Sequence, residues 1–199
     1  TAKNSILLGN NINFASKNDM ANAISIGDFS RANTGAVAVG VSAQADVNAA
    51  VALGANAVVT QVNSVALGAD SSTTAAVPTT NAVINGLTHS FAGANPVGVV
   101  SVGSAGKERQ VQNVAAGQIN DKSTDAINGS QLYASNSVIN QNSTDITELQ
   151  KGWTLASNNG AQTEQITAGE TVNFNPGNNI AITQTGNSIS IATTPNVAF

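Results

Sequence analysis

Cysteine is absent from this 199-residue chain, which excludes disulfide scaffolds, thiolate zinc sites and cysteine nucleophiles. Charge is scarce. Asp, Glu, Lys and Arg together make up 9% of the residues, against about 25% in an ordinary soluble domain. Lys and Arg number only 7 and the net charge is −4, so there is no basic footprint for nucleic acid. Aromatic residues are 4%, with a single Trp, a single Tyr and a single His. A thick core relies on large side chains, each contributing about 1.5–3 kcal/mol when buried. A chain so poor in them suits thin, repeated layers better. No apolar run approaches the ~18 residues of a membrane-spanning helix. The opening stretch Thr1–Asn10 also lacks the basic start and long apolar run of a secretory signal.

What the chain has instead is 32 alanines, 27 asparagines and a repeat. Internal repeats decide architecture before local propensity does. The repeated segments are Ser5-Ile-Leu-Leu-Gly9, Ala23-Ile-Ser-Ile-Gly27, Ala36-Val-Ala-Val-Gly40, Ala50-Val-Ala-Leu-Gly54 and Ser64-Val-Ala-Leu-Gly68. A sixth, Val99-Val-Ser-Val-Gly103, follows an interruption. Gly27, Gly40, Gly54 and Gly68 are spaced 13, 14 and 14 residues apart, and Gly9 lies 18 before Gly27. Each segment alternates like a strand, with Val65 and Leu67 on one face and Ser64 and Ala66 on the other. The glycine marks a turn that tolerates positive φ. A second short alternating piece follows it: Val41-Ser-Ala-Gln-Ala, Ala55-Asn-Ala-Val-Val, Ala69-Asp-Ser-Ser-Thr. Two short strands per ~14 residues make one coil of a β-solenoid, stacked at ~4.8 Å. Neither face carries charge, so both are expected to be buried. The interior covers one; the other calls for a partner surface, or for more of the same chain in a monomeric β-helix. The sequence does not say which face meets the partner.

Residues 74–96 interrupt the repeat and read as a loop insertion, with Pro78, Pro96, Gly86 and Gly93 as punctuation. The lone histidine, His89, lies there with no cluster of ligating residues and reads as a surface or packing residue. Beyond Gly103 comes the densest charge cluster, Lys107-Glu108-Arg109. Ser123 or Thr124 suits a helix N-cap, with Asp125 in the first turn. A heptad then places Leu132, Ile139 and Ile146 at a, and Ser135, Asn142 and Leu149 at d. That rod is too short and polar to stand alone, and its polar d positions leave the oligomer order open. Asn142 in the seam either sets register or, repeated by symmetry, points amides at the axis to hold a water or anion. Gly152-Trp153 ends the helix. Four alternating stretches follow, Glu164–Thr167, Thr171–Phe174, Asn179–Thr183 and Ser188–Ala192, with turns at Pro176-Gly177-Asn178 and Thr185-Gly186-Asn187. They predict a small antiparallel β element, with Trp153 as a core or interface anchor.

Catalysis finds no residues here. Glycan cleavage needs carboxylates paired at a fixed separation, and Asp19, Asp28, Asp46 and Asp70 are scattered over the repeats. Acyl transfer needs a base such as histidine. Gly98–Gly103 lacks the Lys-Ser/Thr of a phosphate-binding loop.

In order, the Ala/Ser-Val-Ala-Leu-Gly repeats, the insertion, Lys107–Gly117 with Ser123–Tyr133, and Trp153–Phe199 resemble the trimeric autotransporter adhesins. They resemble, respectively, the YadA-like head, its head insertion, the neck and a Trp-ring-type stalk element. The neck is the most specific match. The resemblance implies a mainly β homotrimer. Each chain would contribute a left-handed parallel β-roll to the head, followed by a neck, a short trimeric coiled coil and a small antiparallel β element. It divides the chain into head repeats 1–73, insertion 74–97, last repeat 98–106, neck 107–131, coiled coil 132–151 and stalk element 152–199. It implies a structural chloride-like anion at the trimer axis, held by Asn142, and otherwise no cofactor, metal or catalytic residue. It implies a virulence-linked adhesin delivered by type V secretion, attaching a Gram-negative cell to host matrix proteins, cells or inert surfaces. The alternative is a spacer that projects a separate distal binder. The family's signal peptide and C-terminal outer-membrane barrel are missing from the sequence, which reads as an excised passenger fragment on the cell surface.

Overall fold

The computed structural model describes residues 3–12, 21–157, 160 and 162–195. Two compact units divide at Asn128 and Gly129. The first carries the repeats. Its strands are β1 (Ile6–Leu8), β2 (Ile24–Ile26), β3 (Arg31–Ala32), β4 (Val37–Val39), β5 (Gln44–Ala45), β6 (Val51–Leu53), β7 (Val58–Val59) and β8 (Val65–Leu67), then the hairpin β9 (Asn81–Ile84) and β10 (Leu87–Ser90), and β11 (Val100–Ser101). A parallel sheet runs β1-β2-β4-β6-β8-β11, and a second runs β3-β5-β7. Ile6 pairs with Ile24, Ile24 with Val37, Val37 with Val51 and Val51 with Val65, so each repeat lies in register on the one before. Val100 pairs with Val65, making the segment after the insertion one more rung. The coil of two strands per repeat is therefore a parallel β-solenoid.

Four columns of small side chains fill it. They are Ala23, Ala36, Ala50 and Ser64; Ser25, Ala38, Ala52 and Ala66; Ser30, Ala43, Ala57 and Ser71; and Ala32, Ala45, Val59 and Thr73, all buried. Each alanine methyl removed from water is worth about 0.8 kcal/mol, so this interior gains by repetition. Its hydroxyls are satisfied internally: Ser25 Oγ and Ser30 Oγ share a 2.8 Å bond, and Ser64 Oγ donates to Val62 O at 3.2 Å and accepts from Val99 N–H at 3.1 Å. The small face thus turns inward because the coil has no room for more. The expectation that both faces are covered fails within one chain. Ile24, Val37, Val51 and Val65, with Ile26, Val39 and Leu53, stay half-exposed, and Leu67 is 47% exposed.

The turn glycines stack on one another. Gly54 has φ +135°, and a Cβ there would fall 2.6 Å from Ala69 N and closer still to the carbonyl carbon of Gly68. No larger residue fits that approach. The corners also use left-handed asparagines. Among the described residues, 8 of the 12 non-glycine residues with positive φ are Asn. Asparagine tolerates this conformation at lower cost than other side chains.

The insertion is more ordered than a loop. Leu87 pairs with Ile84 and Ser90 with Asn81, around a turn at Asn85-Gly86.

The second unit opens with the helix α1 (Gly129–Gln150) and continues with β12 (Trp153–Ser157), β13 (Gln162–Ile166), β14 (Ile180–Thr185) and β15 (Ser188–Thr193). These form two antiparallel pairs, β12-β13 and β14-β15. Two expectations need correction. The helix does not start at Ser123 or Thr124, and no acidic residue lies in its first turn. The capping groups are engaged elsewhere: Ser123 Oγ accepts from Asp125 N–H at 3.2 Å, and the Asp125 carboxylate accepts from Gln118 N–H at 3.0 Å. Residues 123–128 are thereby tied to 114–118, an attachment completed by Asn128 Nδ2 donating to Val114 O at 3.1 Å. Second, Thr171–Phe174 is not a strand. The strands before and after it, β13 and β14, pair with β12 and β15. Val172 and Phe174 instead line a cleft with Pro176, which has no N–H to offer a ladder. Trp153, read as the entrance to the element, opens β12 itself and pairs with Ile166.

Candidate interaction surface

The outward residues of the first unit fall into two kinds. On the β1-β2-β4-β6-β8 sheet they form an apolar stripe two residues wide, from Ile24 and Ile26 to Val65 and Leu67. Successive rungs add to it without a charged interruption. On the β3-β5-β7 sheet they are Arg31, Gln44 and Val58. There Arg31 Nη2 donates to Gln44 Oε1 and Asp46 Oδ2, both at 2.6 Å. A half-exposed pair of this kind contributes about 0–1 kcal/mol. One outer wall is therefore apolar and the other polar.

At the last coil, Ser72, Thr74, residues 100–105, Glu108 and Arg109 border an open cleft of about 460 Å³. Lys107 Nζ lies 3.4 Å from Asp70 Oδ2. The Asn56 amide, donating at 3.1 Å, and then the Lys107 charge hold the Asp70 carboxyl below its ordinary value. Glu108 is lowered as well, by its own backbone N–H and that of Gly106.

In the second unit no residue of α1 is buried. Of the residues read as the heptad seam, the aliphatics are exposed: Leu132, Ile139 (61%), Ile146 and Leu149 (76%). Asn142 lies within α1, exposed. Ser137, Thr144 and Thr147 turn their hydroxyls back to the carbonyls of Tyr133, Asn140 and Ser143 at 2.9–3.1 Å, which spends polar groups within the helix. Gly152, with φ +69°, ends it, and Trp153 beyond is 55% exposed. Val172, Phe174, Pro176, Ile182 and Ile189 line an open cleft of about 360 Å³.

Of the scattered acids, Asp28, Asp46 and Asp70 fall on different coils, and Asp19 lies outside the described residues. His89 is exposed on β10, opposite Ala82. Among the described residues no three His, Cys, Asp or Glu side chains gather where a metal could sit, and no helix is long and apolar enough to cross a membrane. The sequence reading overlooked Arg109, whose guanidinium grips the last coil. Nothing in its local sequence marks that role beyond its place in a charged triplet.

The first unit is thus a solenoid with an apolar wall, and the second opens with a helix whose aliphatic residues are exposed. Residues 110–154 match the family model for the coiled stalk of trimeric autotransporter adhesin. The chain is 49% identical over 81 residues to the autotransporter adhesin BtaE of Brucella suis biovar 1 (strain 1330), a match covering 41% of this chain and 11% of that protein. In structure it is similar to the C-terminal YadA-like domain of a Burkholderia pseudomallei protein, with TM-score 0.53 and 48% identity over 54% of this chain and 51% of that one. A looser likeness, TM-score 0.47 and 24% identity over 67% of this chain and 68% of the other, is to the collagen-binding domain of the Yersinia adhesin YadA. That level of likeness carries no ligand from one protein to the other. The chain is thus similar in its first unit to YadA-like domains and over residues 110–154 to the coiled stalk of trimeric autotransporter adhesins, and it spans about a tenth of the Brucella relative and about half of the Burkholderia domain.

Proposed function

We propose that three copies of this chain intertwine, and that the assembly serves attachment at the bacterial cell surface, anchored through an outer-membrane barrel elsewhere in the protein. The observation that carries this reading is the apolar stripe of the solenoid, left half-exposed by a chain whose interior is already full. A monomer would leave that stripe and the α1 seam in water. Three copies per fibre and many fibres per cell turn weak contacts with host matrix, cells or inert surfaces into firm attachment by raising effective concentration. In this reading 1–73 and 98–106 form the head, 74–97 decorates it, 107–131 is the neck, 132–151 the coil and 152–199 the stalk element. Asn142 sits at a d position, so three amides facing the axis would hold a chloride-like anion.

The first test is the mass in solution. Three times the 19.9 kDa chain mass supports the assembly, and a stable folded particle of one chain overturns it. The second removes residues 1–103 from the intact protein and measures attachment. Loss supports a sticky head; unchanged attachment makes this segment a spacer for a distal binder. Bromide-soaked crystals should show anomalous density among three Asn142 amides, absent in Asn142→Leu.

A further inference from the structure

Each coil of the solenoid receives the next by a fixed backbone rule. The carbonyl just before each turn glycine accepts the N–H of the following coil's glycine: Leu8 from Gly27, Ile26 from Gly40, Val39 from Gly54 and Leu53 from Gly68, all at 2.7–2.8 Å. The carbonyl just after each glycine accepts an N–H from two residues beyond the next one: Asn10 from Phe29, Asp28 from Ser42, Val41 from Asn56 and Ala55 from Asp70, at 2.8–2.9 Å. Four successive junctions obey both clauses.

The last coil has no such neighbour at this corner. The chain follows β8 through Val100 and Ser101, then turns away at Gly103, where Ser104 and Lys107 pair with each other. The carbonyls of Leu67 and Ala69 should then be bare. They are not. Ser71 Oγ donates to Leu67 O at 2.9 Å, and Arg109 Nη2 donates to Ala69 O at 2.6 Å. The other arm of the guanidinium, Nη1, donates to Val102 O at 2.7 Å and to Ser71 Oγ at 3.1 Å. Its central carbon lies 3.1 Å from where a Cβ on Gly68 would be. In every earlier coil that position over the glycine belongs to the next glycine's backbone.

We propose that Arg109 is a terminal cap, a side chain standing in for the absent next coil. The guanidinium is a flat fork of donors. Flatness lets it lie on a glycine as a peptide plane would, and the fork serves carbonyls on both sides of the corner. Bare carbonyls and N–H groups at a sheet edge are a template for further pairing, by another chain or by a slipped copy of the same repeat. A cation plugged into that edge ends the stack there. The cap also fixes the segment after Gly103 to the last coil, without requiring that segment to be a strand.

The test is hydrogen exchange on the full chain, read at Gly68, Asp70 and Ser72, whose amides hold the last coil, and at Gly40, Ser42 and Gly54 within the stack. In Arg109→Gln the first three should exchange about tenfold faster or more, with the stack unchanged. Arg109→Lys should behave like the glutamine variant, since one ammonium cannot bridge Ala69 O and Val102 O. Lys107→Gln should leave all six near native. If Arg109→Gln does not fold, Ser71→Ala, which copies the alanines at 43 and 57, should still speed exchange at the same three amides. Native-like exchange in Arg109→Gln, acceleration spread evenly over all six, full protection in Arg109→Lys, or an equal effect of Lys107→Gln would each overturn the cap.

Discussion

The coil stack and the helix use aliphatic residues in opposite ways. Between residues 23 and 73 the small side chains go inside, the backbone is tied coil to coil, and the larger Val, Leu and Ile, Val59 excepted, decorate the outside. In α1 the aliphatics form one stripe, and nothing on the helix is buried at all. The stack therefore has an interior that a single chain supplies. The helix has none, and a polar 22-residue helix is marginal in water without packing. Association should accordingly be optional for part of the head's order and obligatory for the rod. The lesson is about side-chain size: alanine columns can close a fold one strand wide, whereas an isolated helix cannot close anything.

The sharpest way to break the contrast is to damage the stack alone. Gly54→Val places a branched side chain at φ +135°, within 2.6 Å of Ala69 N. Backbone strain and overpacking together should remove at least about 3 kcal/mol. The head's β-sheet signal in circular dichroism should disappear at temperatures the native chain survives. A Gly54→Val head that melts normally would mean the glycine stack is not what sets the coil spacing.

Next in size is damage to the rod alone. Ile139→Asp puts a carboxylate in the middle of the stripe and should weaken helix association by about 1–3 kcal/mol per chain. Helicity and sedimentation coefficient should fall while the head's strand signal survives. Unchanged values of both would refute the heptad.

The sequence made the strands legible and their orientation illegible, for one reason. Val65–Leu67 alternates clearly, but both of its faces are uncharged, so polarity could not choose between them. Volume chose: the narrow coil interior takes Ala and Ser at nearly every position, with Val59 and Thr73 the larger exceptions. The corners carried a readable signal in asparagine. Asn56 and Asn11 sit two residues past a glycine, and Asn22 and Asn63 just before a strand. The hairpin in the insertion was announced by Asn85-Gly86 between alternating stretches, under the louder punctuation of Pro78 and Pro96. The helix start misled because Ser123 and Asp125 are good capping residues with other employment. The Arg109 cap could not be read at all, since its partners are backbone carbonyls 7 to 40 residues away.

A smaller effect should sharpen the comparison from the stack's side. Four described members of one corner column are Asn4, Asn22, Gly35 and Asn63, all suited to positive φ, but the fifth is Ala49 at φ 54°. Alanine in that region is strained by about 1–2 kcal/mol, part of which asparagine recovers. Ala49→Asn should stabilise by roughly 0.5–1 kcal/mol and raise the head's melting midpoint by a few degrees. The helix signal should not respond. A lowered midpoint would show that the corner prefers alanine for packing.

The smallest expected effect concerns the contact between Asp70 and Lys107, which the stack has and the helix lacks. Asp70 is held below its ordinary value of 3.8, chiefly by the Asn56 amide and then by Lys107. A lowered folded value means the folded form binds the proton less readily than the unfolded one. The stabilisation is thus complete above the ordinary value and is lost as pH falls through the lowered one. Asp70 is exposed, so screening keeps the contribution small. Asp70→Asn keeps the amide contact and the left-handed corner but removes the charge. Native chain and variant should differ slightly in head melting near neutral pH, and the difference should vanish as pH falls through the lowered value of Asp70. A gap that widens on acidification would mean that Asp70 is destabilised by its surroundings, and that Lys107 does not reach it in solution.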